Sequence, residues 1–225
     1  IAIKTAMLAT GKDGILVLHG AYHGLSLGAL DLTHRSDFRA PFEGRLPGPT
    51  NFLPFPTSTT SNDLLREIED LAETAALILV EPIQGRAGVR PLPGEFLPRL
   101  REICDRTGLL LGADEIMTGF GRTGSWFACQ AEGVVPDLLC VGKALGGGLP
   151  ISALLGRTAV MDAWPRSSGE ALHTSTFLGH PLAAASALAV LESIETDNLI
   201  ARALERGAQL ENGLHDLAAR FDLRP

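Results

Sequence analysis

The chain has 225 residues, of which 45% are hydrophobic and 20% charged, and its formal net charge is −7 at pH 7. This composition is typical of a globular protein and excludes a disordered chain or a fibre. The acidic balance without a Lys/Arg cluster argues against a nucleic-acid partner, and the longest apolar runs are too short for a membrane span.

Apolar strand-like runs alternate with helical patterns along the chain. A helix is predicted through Ile1–Thr10, ending at Gly11, and a long irregular loop through Arg35–Thr60. The predicted strands are Ile15–Leu18, Leu77–Val80, Leu109–Leu111, Leu138–Val141 and Ile151–Leu155. The other predicted helices are Leu64–Ala75 with caps in Ser61–Asp63, Phe96–Arg106 ended by Gly108, Pro181–Leu191 and Asn198–Arg220. Short apolar strands between helices predict an α/β protein with a mainly parallel sheet flanked by helices.

Three cysteines, Cys104, Cys129 and Cys140, lie 25 and 11 residues apart in the sequence. This odd number lacks the spacing of a metal site, so we predict no metal and a reduced, cytoplasmic protein.

Lys143 is the sharpest chemical signal in the sequence. It follows an apolar strand and precedes the run Ala-Leu-Gly-Gly-Gly. A lysine at the carboxyl end of a strand, where ligands of α/β proteins bind, can form a Schiff base with a carbonyl group. An exposed lysine at a turn is the alternative interpretation.

Asp114 and Glu115 follow the predicted strand that begins at Leu109. A carboxylate at such a strand end can pair with the ring nitrogen of a ligand, although it can equally cap a turn. Because the two acids are adjacent, they are predicted to point to opposite faces rather than to form a catalytic pair.

Gly119–Gly124 satisfies the spacing G-x-G-x-x-G of a dinucleotide site. The glycines do not directly follow a strand or open a long helix, so this interpretation is disfavoured. A phosphate-binding loop around Lys143 is excluded because Asp137 stands where its first glycine would be.

Two further segments can bind a flat phosphorylated ligand. Tyr22 lies beside a glycine after the first strand and can stack on a ring. His173–Gly179 contains three hydroxyl residues before a helix, where phosphate can bind, although ordinary capping is an equal alternative.

Taken together, these segments resemble the class III aminotransferases, the ornithine, 4-aminobutyrate and ω-amino-acid group of fold type I pyridoxal-phosphate enzymes. The match covers most of the chain, and its joint pattern is far more specific than any one motif. The matching strings are AYHG (21–24), EPIQG (81–85), ADEIMTGFGRTG (113–124), PDLLCVGKALGGGLP (136–150) and HTSTFLGHPLA (173–183).

The resemblance implies pyridoxal 5'-phosphate as cofactor, a small-molecule amino donor, a 2-oxo acid acceptor and a ping-pong reaction. It implies that Lys143 forms the Schiff base and that Asp114 pairs with the ring nitrogen, as the catalytic residues. It also implies that Thr176 contacts the cofactor phosphate of the neighbouring subunit in a homodimer. The other cofactor-binding residues that it implies are Tyr22 and Ile116 on the two ring faces, His23, Met117, and Glu81 in a supporting role.

Two positions depart from the family pattern. Met117 replaces a glutamine that reaches the phenolic oxygen of the cofactor, and a thioether cannot donate that hydrogen bond. Arg86 replaces a glutamate that serves as a gate in ornithine and 4-aminobutyrate enzymes. Arg86 can instead meet a substrate carboxylate or be a surface residue, and the standard specificity is therefore in doubt.

The resemblance also implies that the chain is a fragment, because members of the family are longer. Residues 1–190 are predicted to form the large cofactor domain without its start, and residues 191–225 the start of a small C-terminal domain. The alternatives are an aminomutase, racemase or decarboxylase of the same fold, a nicotinamide-dependent oxidoreductase, and an inactive truncated remnant.

Overall fold

The structure is a computed structural model that describes residues 1–46 and 48–221. Its strands are β1 Gly14–Leu18, β2 Thr50–Leu53, β3 Ala75–Val80, β4 Ile83–Gln84, β5 Arg90–Pro91, β6 Leu110–Asp114, β7 Leu138–Val141 and β8 Ala153–Gly156. Its helices are α1 Ala2–Thr10, α2 Leu27–Leu30, α3 Ser36–Arg39, α4 Ser61–Leu71, α5 Phe96–Thr107, α6 Ala128–Ala131, α7 Thr158–Met161, α8 Pro181–Thr196 and α9 Leu199–Arg220.

Six of these strands form one sheet in the order β2-β1-β3-β6-β7-β8. The first five run parallel, and β8 pairs antiparallel with β7. Strands β4 and β5 form a separate antiparallel pair. The mainly parallel sheet of an α/β fold is therefore confirmed.

Alternate residues of the central strands enter two hydrophobic cores on opposite faces of the sheet. Leu16 of β1 and Ile78 of β3 lie in the core that α4 and α5 cover. Val17 and Leu77, their chain neighbours, lie in the core that α1 covers. Both faces are buried because helices cover both, which explains why these strands are apolar at every position.

Glycines end two helices as predicted. Gly11 follows α1 with φ 70° and Gly108 follows α5 with φ 75°, both in the left-handed region that glycine adopts without a steric penalty. Two predicted details of α4 are wrong. Its cap position is Thr60 rather than a residue of Ser61–Asp63, and it ends at Leu71 because residue 75 already begins β3.

The predicted irregular loop Arg35–Thr60 is also wrong in part. It contains α3 and the edge strand β2, which pairs with β1 from Thr50 onward. Only Leu53 of β2 is buried, so this strand lacks the apolar run that identified the others. Backbone hydrogen bonds to β1 hold it in place.

Helix α8 passes through the predicted domain boundary between residues 190 and 191, and the division into two domains stays a prediction. Residues 222–225 of the second predicted domain lie outside the described residues. Among residues 1–46 and 48–221, no helix combines the length and the apolar character that crossing a bilayer requires.

Candidate active site

The carboxyl ends of four neighbouring parallel strands meet at one edge of the sheet. Tyr22 and His23 follow β1, Glu81 follows β3, Asp114 is the last residue of β6, and Lys143 follows β7. The structure brings these residues to one pocket of about 240 Å³. The residues that line it are Tyr22, His23, Gly24, Glu81, Asp114, Ile116, Met117 and Lys143.

Asp114 is held at this pocket by two contacts. His23 donates from Nδ1 to Oδ2 of Asp114 over 2.7 Å, and the backbone N–H of Ile116 donates to Oδ1 over 3.1 Å. The side chains of His23 and Asp114 are 3% and 8% exposed. Within the described residues, Nε2 of His23 is buried without a hydrogen-bond partner. The pair therefore fixes the carboxylate in one orientation in a nearly dry place.

Glu81 holds the chain segment that carries Tyr22, the aromatic residue of the pocket. Its Oε1 accepts a hydrogen bond of 2.9 Å from the backbone N–H of Tyr22. Burial raises the pKa of Glu81, and the nearby Asp114 raises it further, while His23 and the Tyr22 N–H act in the opposite direction. Glu81 thus ties the end of β3 to the segment that follows β1.

Lys143 has an unusual backbone. Its φ is 41°, in the left-handed region that a lysine rarely adopts, and it begins a 3₁₀ turn through Gly146. Such a conformation costs roughly 1–2 kcal/mol for a residue with a Cβ atom. It persists only where the surrounding structure imposes it, which marks the end of β7 as a candidate functional position.

A second cavity of about 600 Å³ adjoins the pocket and shares Lys143, Ile116 and Met117 with it. Arg122 and Thr123 line its far side. Among the described residues, Oγ1 of Thr123 is buried with no hydrogen-bond partner. Lys143 therefore lines both the smaller pocket and a larger, mostly apolar cavity.

The segment Gly119–Gly124 lies in turns between β6 and α6. It does not have the strand–turn–helix arrangement of a dinucleotide site. Instead it contributes Arg122 and Thr123 to the larger cavity, a role that sequence reasoning missed because it assigned no function to these two side chains.

The side chain of Glu115 points away from Asp114. It is fully buried, its carboxylate accepts from the Thr118 hydroxyl, and its Oε1 accepts from the backbone N–H of Cys129 over 2.7 Å. The two adjacent acids thus have separate tasks, one at the pocket and one in holding the loop that follows β6.

Met117 packs against the turn after β4. A Cβ atom placed on Gly85 would lie 2.7 Å from its sulfur, so a larger residue at position 85 would require the Met117 side chain to move. Met117 is 41% exposed and lines both cavities. No glutamine-like donor is present at this position.

Thr176 is not among the residues that line the pocket. It is exposed, in the irregular segment before α8, together with Thr174 and Ser175. Its predicted contact is with a neighbouring subunit, and a single chain does not test it.

The three cysteines are free thiols, and burial is the main cause that raises the pKa of Cys104, Cys129 and Cys140 to about 12. Within residues 1–46 and 48–221, no cluster of three or more His, Cys, Asp or Glu could hold a metal ion.

This sheet carries at one edge a lysine, a buried carboxylate bonded to histidine, and an aromatic side chain. The fold is that of the fold type I pyridoxal-phosphate transaminases, and this combination fits a pyridoxal-phosphate site. The chain belongs to the Aminotransferase class-III family, which it matches over residues 1–223.

Two curated relatives illustrate the sequence similarity. An acetylornithine aminotransferase of Methanosarcina mazei is 41% identical over 218 residues, which are 96% of this chain and 52% of that protein. A putrescine aminotransferase of Pectobacterium atrosepticum is 42% identical over 212 residues, which are 94% of this chain and 45% of that protein. The chain thus spans about half the length of these relatives.

Solved structures have the same fold. An amine transaminase from an uncultivated Pseudomonas species, in a PLP-bound form, superposes with a TM-score of 0.86 at 33% identity, covering 97% of this chain and 55% of that one. A taurine:2-oxoglutarate aminotransferase of Bifidobacterium kashiwanohense, in complex with PLP and glutamate, gives 0.86 at 28% identity, covering 97% and 53%.

The residues of the pocket fit pyridoxal phosphate. A protonated ring nitrogen requires a carboxylate, and Asp114 is buried and oriented at the pocket. Tyr22 offers an aromatic wall and Ile116 an apolar one, and Lys143 supplies the amine. The buried, unpartnered Nε2 of His23 is a further polar atom in the same pocket.

Proposed function

We propose that the whole protein moves an amino group from an amino acid or ω-amine to a 2-oxo acid, by a ping-pong reaction at this pocket. One observation carries the proposal: the amine of Lys143 and the oriented carboxylate of Asp114 line the same pocket, together with an aromatic and an apolar wall. The family supports it, since relatives named for acetylornithine and putrescine are aminotransferases.

Pyridoxal phosphate, when bound, supplies an aldehyde that takes up the amino group and a ring that accepts the electron pair released at the substrate carbon. Lys143 would hold the cofactor through its Nζ and, once the substrate amine has taken its place, would accept the proton from the substrate Cα at Nζ and deliver it to the cofactor carbon that bore the aldehyde. Asp114 keeps the ring nitrogen protonated, and His23 fixes the orientation of that carboxylate.

The remaining residues position these groups. Tyr22 and Ile116 line the pocket and would hold the ring between them, in position for Lys143. Glu81 fixes the backbone at Tyr22 and therefore the aromatic wall. Met117 closes the side of the pocket that faces the turn at Gly85.

Borohydride reduction of the holoenzyme, followed by peptide mass analysis, tests the assignment of Lys143. We expect the cofactor mass on the peptide that contains Lys143, and no label when Lys143→Ala is treated in the same way. Lys12→Ala is the matched control, because Lys12 donates to the carbonyl of Ala72, away from the pocket. Label on any other lysine contradicts the mechanism.

We further propose a homodimer in which Thr176 reaches the cofactor phosphate of the partner site. Its exposure, outside the pocket of its own chain, supports this arrangement. Dimers mixed from Thr176→Ala and Lys143→Ala subunits test it. If Thr176 acts across the interface, a mixed dimer contains one intact site and recovers activity, whereas contact within one chain leaves both sites damaged.

The proposal places the protein in the cytoplasm. Free thiols at Cys104, Cys129 and Cys140 are typical of a reducing compartment.

A further inference from the structure

Arg86 lies beside the proposed active site in a geometry that the amino-group transfer does not explain. It comes from the 3₁₀ turn Gly85–Ala87, and its Cζ lies 4.5 Å from the centroid of the Tyr22 ring. The Phe38 ring is 5.6 Å from the same atom and meets Tyr22 edge-on. Two aromatic rings therefore hold this guanidinium against a residue that lines the pocket of Lys143.

The turn that carries Arg86 also reaches the larger cavity. Gly85 lines that cavity and packs on Met117, which lines both cavities. Arg86 thus directly follows Gly85, which lines the larger cavity, and contacts Tyr22, which lines the smaller pocket. Its guanidinium therefore lies against Tyr22, a residue of the smaller pocket, while Arg86 itself is outside the residues that line the two cavities.

The hydrogen-bonding capacity of Arg86 is unused. Among residues 1–46 and 48–221, it makes no ion pair and no hydrogen bond, and it is exposed. Arg35, which also contacts the Phe38 ring, is paired with Asp37. Aromatic contact supplies none of the oxygen acceptors that the five N–H groups of a guanidinium require.

We propose that Arg86 binds the carboxylate of the substrate, so that amino acids and 2-oxo acids are recognised by a bidentate contact beside Tyr22. The inference rests on the proposed amino-group transfer and deepens it by naming the substrate class. A planar fork of donors matches a carboxylate, whereas an amine without a carboxylate gains nothing from it. The two rings restrict the side chain in advance, so less conformational entropy is lost on binding.

Arg122 is the competing assignment, because it lines the larger cavity with Lys143. The two residues predict different results. If Arg86 is the receptor, Arg86→Met weakens carboxylate binding more than Arg122→Met does. The opposite order overturns the inference.

Calorimetric titration of the holoenzyme with glutarate, propanoate and acetate measures the contact without requiring turnover. We expect Arg86→Met to raise the Kd of at least one acid by about 10- to 100-fold, as for loss of a charged hydrogen-bonded contact. Arg86→Lys should recover part of the affinity, because it keeps the charge without the fork. Arg66→Met, at a 76% exposed position on α4, should leave every Kd unchanged.

A comparison of KM for donors with and without a carboxylate completes the test. We expect Arg86→Met to raise KM for 4-aminobutanoate while KM for butylamine, its carboxylate-free counterpart, stays within twofold. Equal losses for both donors assign Arg86 a structural role and overturn the inference. It is also overturned if the wild-type holoenzyme binds none of the three acids or if Arg86→Met binds them equally well.

Failure of the two proposals can be told apart. If borohydride labels Lys143 but carboxylate binding does not depend on Arg86, the transfer mechanism stands and this inference is wrong. If Lys143 is not labelled but binding depends on Arg86, the carboxylate site stands and the transfer mechanism is wrong.

Discussion

At the scale of single residues, the site depends on a carboxylate whose surroundings leave it one orientation. Asp114 receives hydrogen bonds from His23 and from the backbone of Ile116, and both side chains of the His23–Asp114 pair are nearly inaccessible. A neutral amide in its place keeps the shape but cannot balance a positive charge on a ring nitrogen. The charge of this residue, more than its size, should therefore govern the rate.

Asp114→Asn is expected to lower kcat by about 100- to 1000-fold, the range seen when one preorganised electrostatic partner of a reacting group is removed. Steady-state kinetics, with absorbance of the bound cofactor across pH, provides the measurement. Asp13→Asn is the control, since Asp13 is exposed before β1. A variant with unchanged kcat would remove Asp114 from the mechanism.

Glu81 makes a prediction about pH and stability. Burial raises its pKa above the ordinary value of 4.5, so the folded protein binds its proton more tightly than the unfolded chain. The resulting stabilisation is fully present below about pH 4.5 and is lost as pH rises through the folded pKa. The side chain at position 81 cannot ionise in Glu81→Gln, so this variant should not lose stability in this way.

Urea denaturation of wild type and Glu81→Gln between pH 4 and pH 8 measures this effect. As pH rises, the free energy of unfolding of Glu81→Gln should increase relative to that of wild type. The difference between the two should then become constant. Glu73→Gln, at an exposed position, should show no such trend. A constant difference across the range would contradict the raised pKa.

Sequence reasoning found the pocket residues because strand ends are visible as apolar runs followed by chemically distinctive side chains. The seven residues that it assigned to the cofactor of this chain line one pocket. It could not find the contact between Arg86 and Tyr22, since residues 64 positions apart follow no local period. The unpartnered hydroxyl of Thr123 was equally invisible, because only the fold shows what surrounds it.

At the scale of the elements, burial on both faces made the central strands predictable. All five residues of β1 and all six of β3 are buried, and both appear in the sequence as continuous apolar runs. Strand β2 has one buried residue and was missed. This edge strand pairs through backbone groups that every residue carries, so its side chains leave little trace in the sequence. The other edge strand, β8, was predicted from its apolar residues although none of them is buried.

Two glycine variants should change stability in opposite directions. In β6, a Cβ atom on Gly112 would lie 2.9 Å from Leu79 and 3.0 Å from Leu77, so Gly112→Ala should cost about 1–3 kcal/mol through overpacking. In α9, no described atom lies within 4 Å of that position on Gly207. Gly207→Ala should therefore gain about 0.5–1 kcal/mol of helix stability.

Chemical denaturation followed by circular dichroism compares these glycine variants with wild type. The expected order of denaturation midpoints is Gly207→Ala, wild type, then Gly112→Ala. If Gly112→Ala is as stable as wild type, the sheet at β6 can spread, and the close packing described for it is wrong.

At the scale of the whole molecule, one buried aspartate joins several elements. Asp137 accepts from Arg101 of α5 over 2.7 Å and from the backbone N–H of Leu111 in β6 over 2.8 Å. Arg157, just before α7, lies 3.3 Å from its other oxygen. Burial acts to lower the pKa of Arg101, but the hydrogen bond and charge of Asp137, together with Cys104 and Asp105, raise it overall.

Asp137→Ala should lower the free energy of unfolding by about 3–5 kcal/mol, because the largely buried Arg101 guanidinium and the Leu111 N–H both lose their buried acceptor. Asp105→Ala is the matched control, since Asp105 also pairs with Arg101 at 2.8 Å but is 56% exposed. Its loss should cost no more than about 1 kcal/mol. Equal costs in urea denaturation would show that burial of the pair is unimportant.

The left-handed backbone of Lys143 implies that this position serves catalysis at the expense of thermal stability. Asparagine tolerates this conformation better than most residues. Without cofactor, Lys143→Asn should therefore melt at a higher temperature than Lys143→Ala, although neither can perform the reaction. Selection for thermal stability alone would remove lysine from this position. Lysine is therefore present because the reaction requires its amine, although the backbone conformation here disfavours it.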